Sequence, residues 1–108
     1  MELQSLTEEL YKSAKRLSKS GDELFKLAKE RAESERNYRQ ALAKRIVMLK
    51  ESGQSVTLIG DIARGECSEL KFERDLADAR YSAGRELAES LRTEVSALQT
   101  ILKYQTEA

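Results

Sequence analysis

The sequence predicts an all-α fold: a long antiparallel helical hairpin, coiled-coil-like, with a short connecting helix, completing a helical bundle by dimerisation. Three observations predict it. None of the 108 residues is proline. The composition leans on helix formers, with 35% charged residues. Leucines recur every seven residues, and that repeat in such a composition marks long helices or a coiled coil. Disorder, the other reading of high charge, is excluded by balanced charge (19 basic, 19 acidic) and by this periodicity. The length is that of a single domain.

Leu3, Leu10, Leu17 and Leu24 fall at heptad spacing, with Leu6 and Leu27 beside them, so one stripe runs along a helix. Ser13 and Ser20 fall at partner positions and weaken that seam. Past a polar stretch at 30–36 the stripe resumes at Tyr38, Ala41, Leu42, Ile46 and Leu49, a shift that rewinds a coiled coil locally. The reading is one helix over about 4–51. Gly21 is its weak point. Ser20 with Glu23 has the form of a capping box, and glycine costs about 1 kcal/mol against alanine inside a helix. The leucine register crosses Gly21 unshifted, which favours continuity; a break there gives a monomeric three-helix bundle instead.

Glu51-Ser52-Gly53-Gln54-Ser55 ends the helix, with Gly53 as its left-handed cap. Leu58, Ile59 and Ile62 then repeat at helical spacing, so a short helix is expected over about 56–64, started by Ser55 or Thr57 and ended by Gly65. A strand at 56–59 would have no second strand to pair with. Ser68 opens the last helix, about 68–104, with Glu69 in its first turn, where the helix dipole favours an acid. Its stripe is Leu70, Ala77, Gly84, Leu91 and Leu98, flanked by Tyr81, Leu87, Ala88, Val95, Ile101 and Leu102. The small residues Ala77, Gly84 and Ala88 admit a close helix neighbour.

Catalysis has few tools here. The chain has no histidine, so Ser-His, Cys-His and His-metal arrangements are absent and no cofactor is expected. Cys67 stands between Glu66 and Ser68, an acidic setting that does not make a reactive thiolate. Glu69 with Glu73, and Glu30, Glu33 and Glu35, read as solvated helix faces, since the Glu-x-x-His pairs of di-iron bundles are missing. No Gly-Lys-Ser/Thr follows Gly60 or Gly65 to make a phosphate loop. The expectation is no enzyme.

Binding is the remaining mode. A single seam between two helices is marginal, which predicts a homodimer or higher assembly. The least coiled-coil-like stretch, 56–65, would offer a protein partner Leu58, Ile59, Asp61, Ile62 and Arg64. Its plainer reading is a well-capped corner in which Asp61 and Arg64 pair within the helix. The alternative function is nucleic-acid binding by Lys12, Lys15, Arg16 and Lys19 on the first helix. A looser group, Arg36, Arg39, Lys44, Arg45 and Lys50, lies further along. Interleaved acids argue against it: Glu8 with Lys12, Asp22 with Lys26 and Glu35 with Arg39 are favourable i,i+4 pairs. Residues 1–50 carry twelve basic against eight acidic side chains, a balance of +4. Residues 51–108 carry seven against eleven, a balance of −4, which suits helices lying side by side. A helix-turn-helix over 56–76 is disfavoured by Glu66 where an apolar residue is needed.

The string Tyr38-Arg39, Leu49, Gly53, Val56-Thr57-Leu58-Ile59, Asp61-Ile62-Ala63-Arg64-Gly65, Leu70-Lys71-Phe72 and Asp75 resembles small helical proteins of phages and prophages of Gram-positive bacteria, over roughly 36–80. That resemblance implies a role beside phage or host DNA-metabolism proteins and transfers no functional residue. The small secreted helical hairpins with a Trp-x-Gly turn are excluded, because the chain has no Trp. A lone cysteine fits a reducing compartment, and residues 1–10 show neither a basic start nor an apolar run. The expected setting is the cytoplasm, that of the host if phage-encoded, with no membrane association.

Overall fold

The computed structural model describes residues 2–107 and is all-α, a helical hairpin with a short connecting helix. It comprises α1 (Leu3–Glu51), α2 (Val56–Glu66) and α3 (Ser68–Glu107), with no strand among the described residues. No helix among them is long and apolar enough to cross a membrane. The chain forms two compact units, Met1–Lys26 with Ser82–Ala108, and Leu27–Tyr81.

In the first of these units the deep line of α1 is not the leucine stripe. Leu6 and Ser13 are the fully buried side chains, whereas Leu3 is 49% exposed and Leu10, Leu17 and Leu24 are half-buried flanks. Opposite them α3 buries Ala88, Leu91 and Leu98. A buried serine needs a partner, and the Ser13 hydroxyl donates to Glu94 Oε1 at 3.0 Å. Helix α1 passes Gly21 without interruption, so the break that would give a three-helix bundle is absent. The Ser20 hydroxyl donates back to the Leu17 carbonyl at 2.6 Å, so no capping box forms with Glu23.

The 27–81 unit is built on Leu49, Ile59 and Ala63, with Leu42, Ile46 and Ile62 packed against them. Gly53 takes φ +81°, the left-handed conformation. The Gln54 N–H donates to Leu49 O at 3.1 Å and the Gly53 N–H to Lys50 O at 3.2 Å. These two bonds are a Schellman motif, which satisfies the last carbonyls of α1 and turns the chain into α2. Ser55 holds the N-cap position of α2, but its hydroxyl engages the Thr57 hydroxyl at 3.0 Å instead of a backbone N–H. The helix runs past Gly65 to Glu66 and ends at Cys67. That buried cysteine serves two helices. Its N–H donates to Ala63 O at 3.0 Å, and its carbonyl accepts from the Lys71 N–H at 3.1 Å at the start of α3. Arg45 of α1 pairs with Glu66 and ties the end of α2 down. The hydrogen bond to Glu66 raises the guanidinium further above its usual pKa.

Candidate functional site

Helix α2 sorts the partner-binding candidates by face. Ile59 is 4% exposed and belongs to the core, so it has no surface to offer a partner; Ile62 is half-buried against that core. Inward-pointing side chains recur every three to four residues, and Ile59, Ile62 and Ala63 are that inner line. Leu58, Asp61 and Arg64 remain outside. Arg64 donates to Asp61 Oδ1 at 2.6 Å, the intrahelical pair of the plainer reading. Its guanidinium folds back over Gly60, where an added Cβ would stand 3.3 Å from two of its nitrogens.

Around this corner large apolar side chains face outward. Val56 is 82% exposed and Leu58 49%. On the back of α1, Val47 and Met48 are 53% and 55% exposed and border a shallow hollow of about 400 Å³ with Ala43 and Lys44.

The basic candidates Lys12, Lys15, Arg16 and Lys19 lie exposed in the other unit. Their spacing of three, four and seven puts them on one face of α1. Among the described residues none stands in an ion pair, and the expected Glu8 with Lys12 and Asp22 with Lys26 pairs do not form. The Glu35 with Arg39 pair does, at 2.5 Å.

One arrangement in the 27–81 unit escaped the reading by apolar periodicity. Arg31 of α1 lies over the ring of Tyr81 in α3, 5.0 Å from its centroid, and its Nε is 2.8 Å from Asp78 Oδ1. Arg74 of α3 lies over the ring of Tyr38 in α1 at 4.7 Å, and its Nε is 3.5 Å from Glu35 Oε2. Each helix therefore supplies Arg-x3-acid-x2-Tyr, and each arginine takes the acid and the ring of the opposite copy. The spacing repeats in Arg31, Glu35, Tyr38 and in Arg74, Asp78, Tyr81. That internal repeat was the signal, but it is polar, and a search for apolar stripes passes over it.

Asp75 adds a further acceptor, 3.0 Å from Arg74 Nη2 and 3.6 Å from Lys71 Nζ. The Arg74 hydrogen bond, and then the Lys71 charge, hold its carboxyl below the ordinary range. The hydrogen bond to Asp75 likewise raises Arg74. A cleft of about 570 Å³ opens beside these groups over Ala28 and Ala32. Both of its guanidiniums are already matched to carboxylates, Arg31 to Asp78 and Arg74 to Glu35. These reciprocal pairs form a polar clasp between α1 and α3.

Comparison with protein-family models, with curated proteins and with solved structures found no match to this chain.

Proposed function

We propose that this chain is a non-enzymatic helical interaction protein that self-assembles and engages a protein partner through the corner made by α2 and the end of α1. One observation carries the reading: a closed core under an outer surface of large apolar side chains. Leu49, Ile59 and Ala63 are sealed beneath, while Val56, Leu58, Val47 and Met48 stand in solvent. Exposed apolar surface beyond isolated residues marks an interaction site, and here it lies on α2 at Val56 and Leu58 and on α1 at Val47 and Met48. Asp61 and Arg64 supply a polar edge to it. The resemblance of residues 36–80 to small phage and prophage proteins supports a setting in the host cytoplasm beside DNA-metabolism proteins.

The test is affinity capture from bacterial lysate followed by calorimetry with the purified partner. Val56→Ser with Leu58→Ser should weaken binding about tenfold or more, the scale of losing two apolar contacts at an interface. Asp61→Ala with Arg64→Ala should weaken it less. Undiminished affinity in the Val56/Leu58 variant would remove the corner from the reading.

A second reading is supported by the unpaired cations of α1. Lys12, Lys15, Arg16 and Lys19 share one face with no acid bound to them, a geometry that can follow a phosphate backbone. Electrophoretic mobility shift at low and moderate salt tests it. No shift of DNA or RNA even at low salt eliminates it.

A further inference from the structure

The last turns of α1 are apolar on two opposite faces. One is the core line of Leu42, Ile46 and Leu49. The other carries Ala43, Val47 and Met48, the last two more than half exposed. A helix with apolar residues on both sides is one that is covered on both sides when it works.

The charges flanking the outer face say what covers it. Lys44 and Glu51 are separated by one heptad and share that face with Val47 and Met48, at spacings of three, four and seven. Among the described residues neither stands in an ion pair, although neighbouring Arg45 does. The midpoint between the opposite charges falls between Val47 and Met48. A half-turn about an axis through that point lays a second α1 antiparallel on the first. Val47 then meets Met48 of the second copy, and Lys44 meets Glu51 of the second copy at both ends. The face is complementary to itself in shape and in charge, as a two-fold interface requires.

We propose that two copies of this chain associate through an antiparallel α1 contact centred between Val47 and Met48, with Lys44 and Glu51 paired reciprocally across it. The inference rests on the reading of the chain as an interaction protein and names a second copy as the occupant of this face. The contact rests on two apolar side chains and one charged pair from each copy, fewer than a standard interface supplies, so the association is expected to be weak and concentration-dependent.

Sedimentation equilibrium of the full chain from about 10 μM to 1 mM reads this directly. The wild type should pass from monomer to dimer. Lys44→Glu and Glu51→Lys should each weaken association roughly ten- to thirtyfold, because two attractive pairs become two repulsive ones. The combined Lys44→Glu, Glu51→Lys chain should recover to within about threefold, and an equal mixture of the two single variants should form a heterodimer. All three variants alter exposed positions, and circular dichroism should report unchanged helix; Met48→Lys, at the centre, gives a second route to loss of the dimer. A monomer at every concentration, a dimer indifferent to the single swaps, or swaps that the combined chain fails to rescue would each overturn the proposal. Partner capture reads through Val56 and Leu58, so failure of self-association removes the self-assembly half of the proposed function and leaves the partner-binding half standing.

Discussion

Arg74 of α3 lies 4.7 Å from the ring centroid of Tyr38 in α1, and this tyrosine is only 6% exposed. Half of the polar clasp is thus anchored on a buried ring, with the guanidinium closing the lid over it. Tyr38→Ala should destabilise the chain by about 3 kcal/mol, the scale of a buried aromatic truncated in a core. Tyr38→Leu keeps most of the burial and should lose only the stacking, about 1 kcal/mol. Urea denaturation of both variants, alone and with Arg74→Ala, checks this. Equal losses from the leucine variant with and without Arg74 would show that the stacking contributes nothing.

Acid stability should depend on Asp75. Its hydrogen bond from Arg74, aided by Lys71, holds the folded carboxyl below the ordinary value of about 3.9. The unfolded chain therefore takes up that proton more readily, and stability rises with pH through this region. The contribution is complete above about pH 5, begins to fall as the unfolded chain takes up the proton, and disappears as the pH falls through the lower folded value. Asp75→Asn should flatten this part of the acid limb in denaturation curves between pH 2 and 6. An unaltered limb would assign the slope to other carboxylates.

Two glycines should respond in opposite directions to alanine. Gly53 sits at φ +81° with open space around it, so Gly53→Ala meets no neighbour and pays only for the left-handed backbone, about 1 kcal/mol of lost stability. Gly21 is helical and likewise open, so Gly21→Ala should stabilise by about 0.5–1 kcal/mol. Thermal or urea unfolding decides it; a loss at Gly21 would mean that the position serves something other than the helix.

The corner should separate stability from binding by residue. Ile59→Ala removes a core side chain and should cost about 2–4 kcal/mol. Its immediate neighbour Leu58 is 49% exposed on the outer face, and Leu58→Ser should cost only about 1 kcal/mol while weakening partner capture. Comparable destabilisation by both would place Leu58 in the core's service and remove it from the binding surface.

Helix number and the turn at Gly53 were legible because they rest on local chemistry: proline-free leucine periodicity, and a glycine where a left-handed residue is needed. Depth within the seam was not. A heptad offers two adjacent stripes, and only the opposing helix decides which goes deeper; here Leu6 and Ser13 won over Leu3 and Leu10. The end of α2 was also displaced, since Gly65 reads as a stop while the Arg45 contact to Glu66 and the Cys67 cap carry the helix beyond it. At the corner, spacing alone grouped Ile59 with Leu58, although one points inward and the other outward. The clasp was written in the sequence as a repeated polar octapeptide pattern, but polar residues at helix spacing usually mean a wet surface, and only the pairing across helices distinguishes the two.

An apolar zipper repeating every seven residues has a weakness: sliding one helix of it by a whole heptad costs little, because leucine still meets leucine. The reciprocal clasp removes that freedom in the 27–81 unit. Arg31 and Tyr38 are themselves seven apart, as are Arg74 and Tyr81. A heptad slip in one sense drives Arg31 against Arg74; in the other it stacks the two tyrosines and strands both guanidiniums. The 27–81 unit thus behaves as a keyed joint that admits one alignment of the helix segments within it.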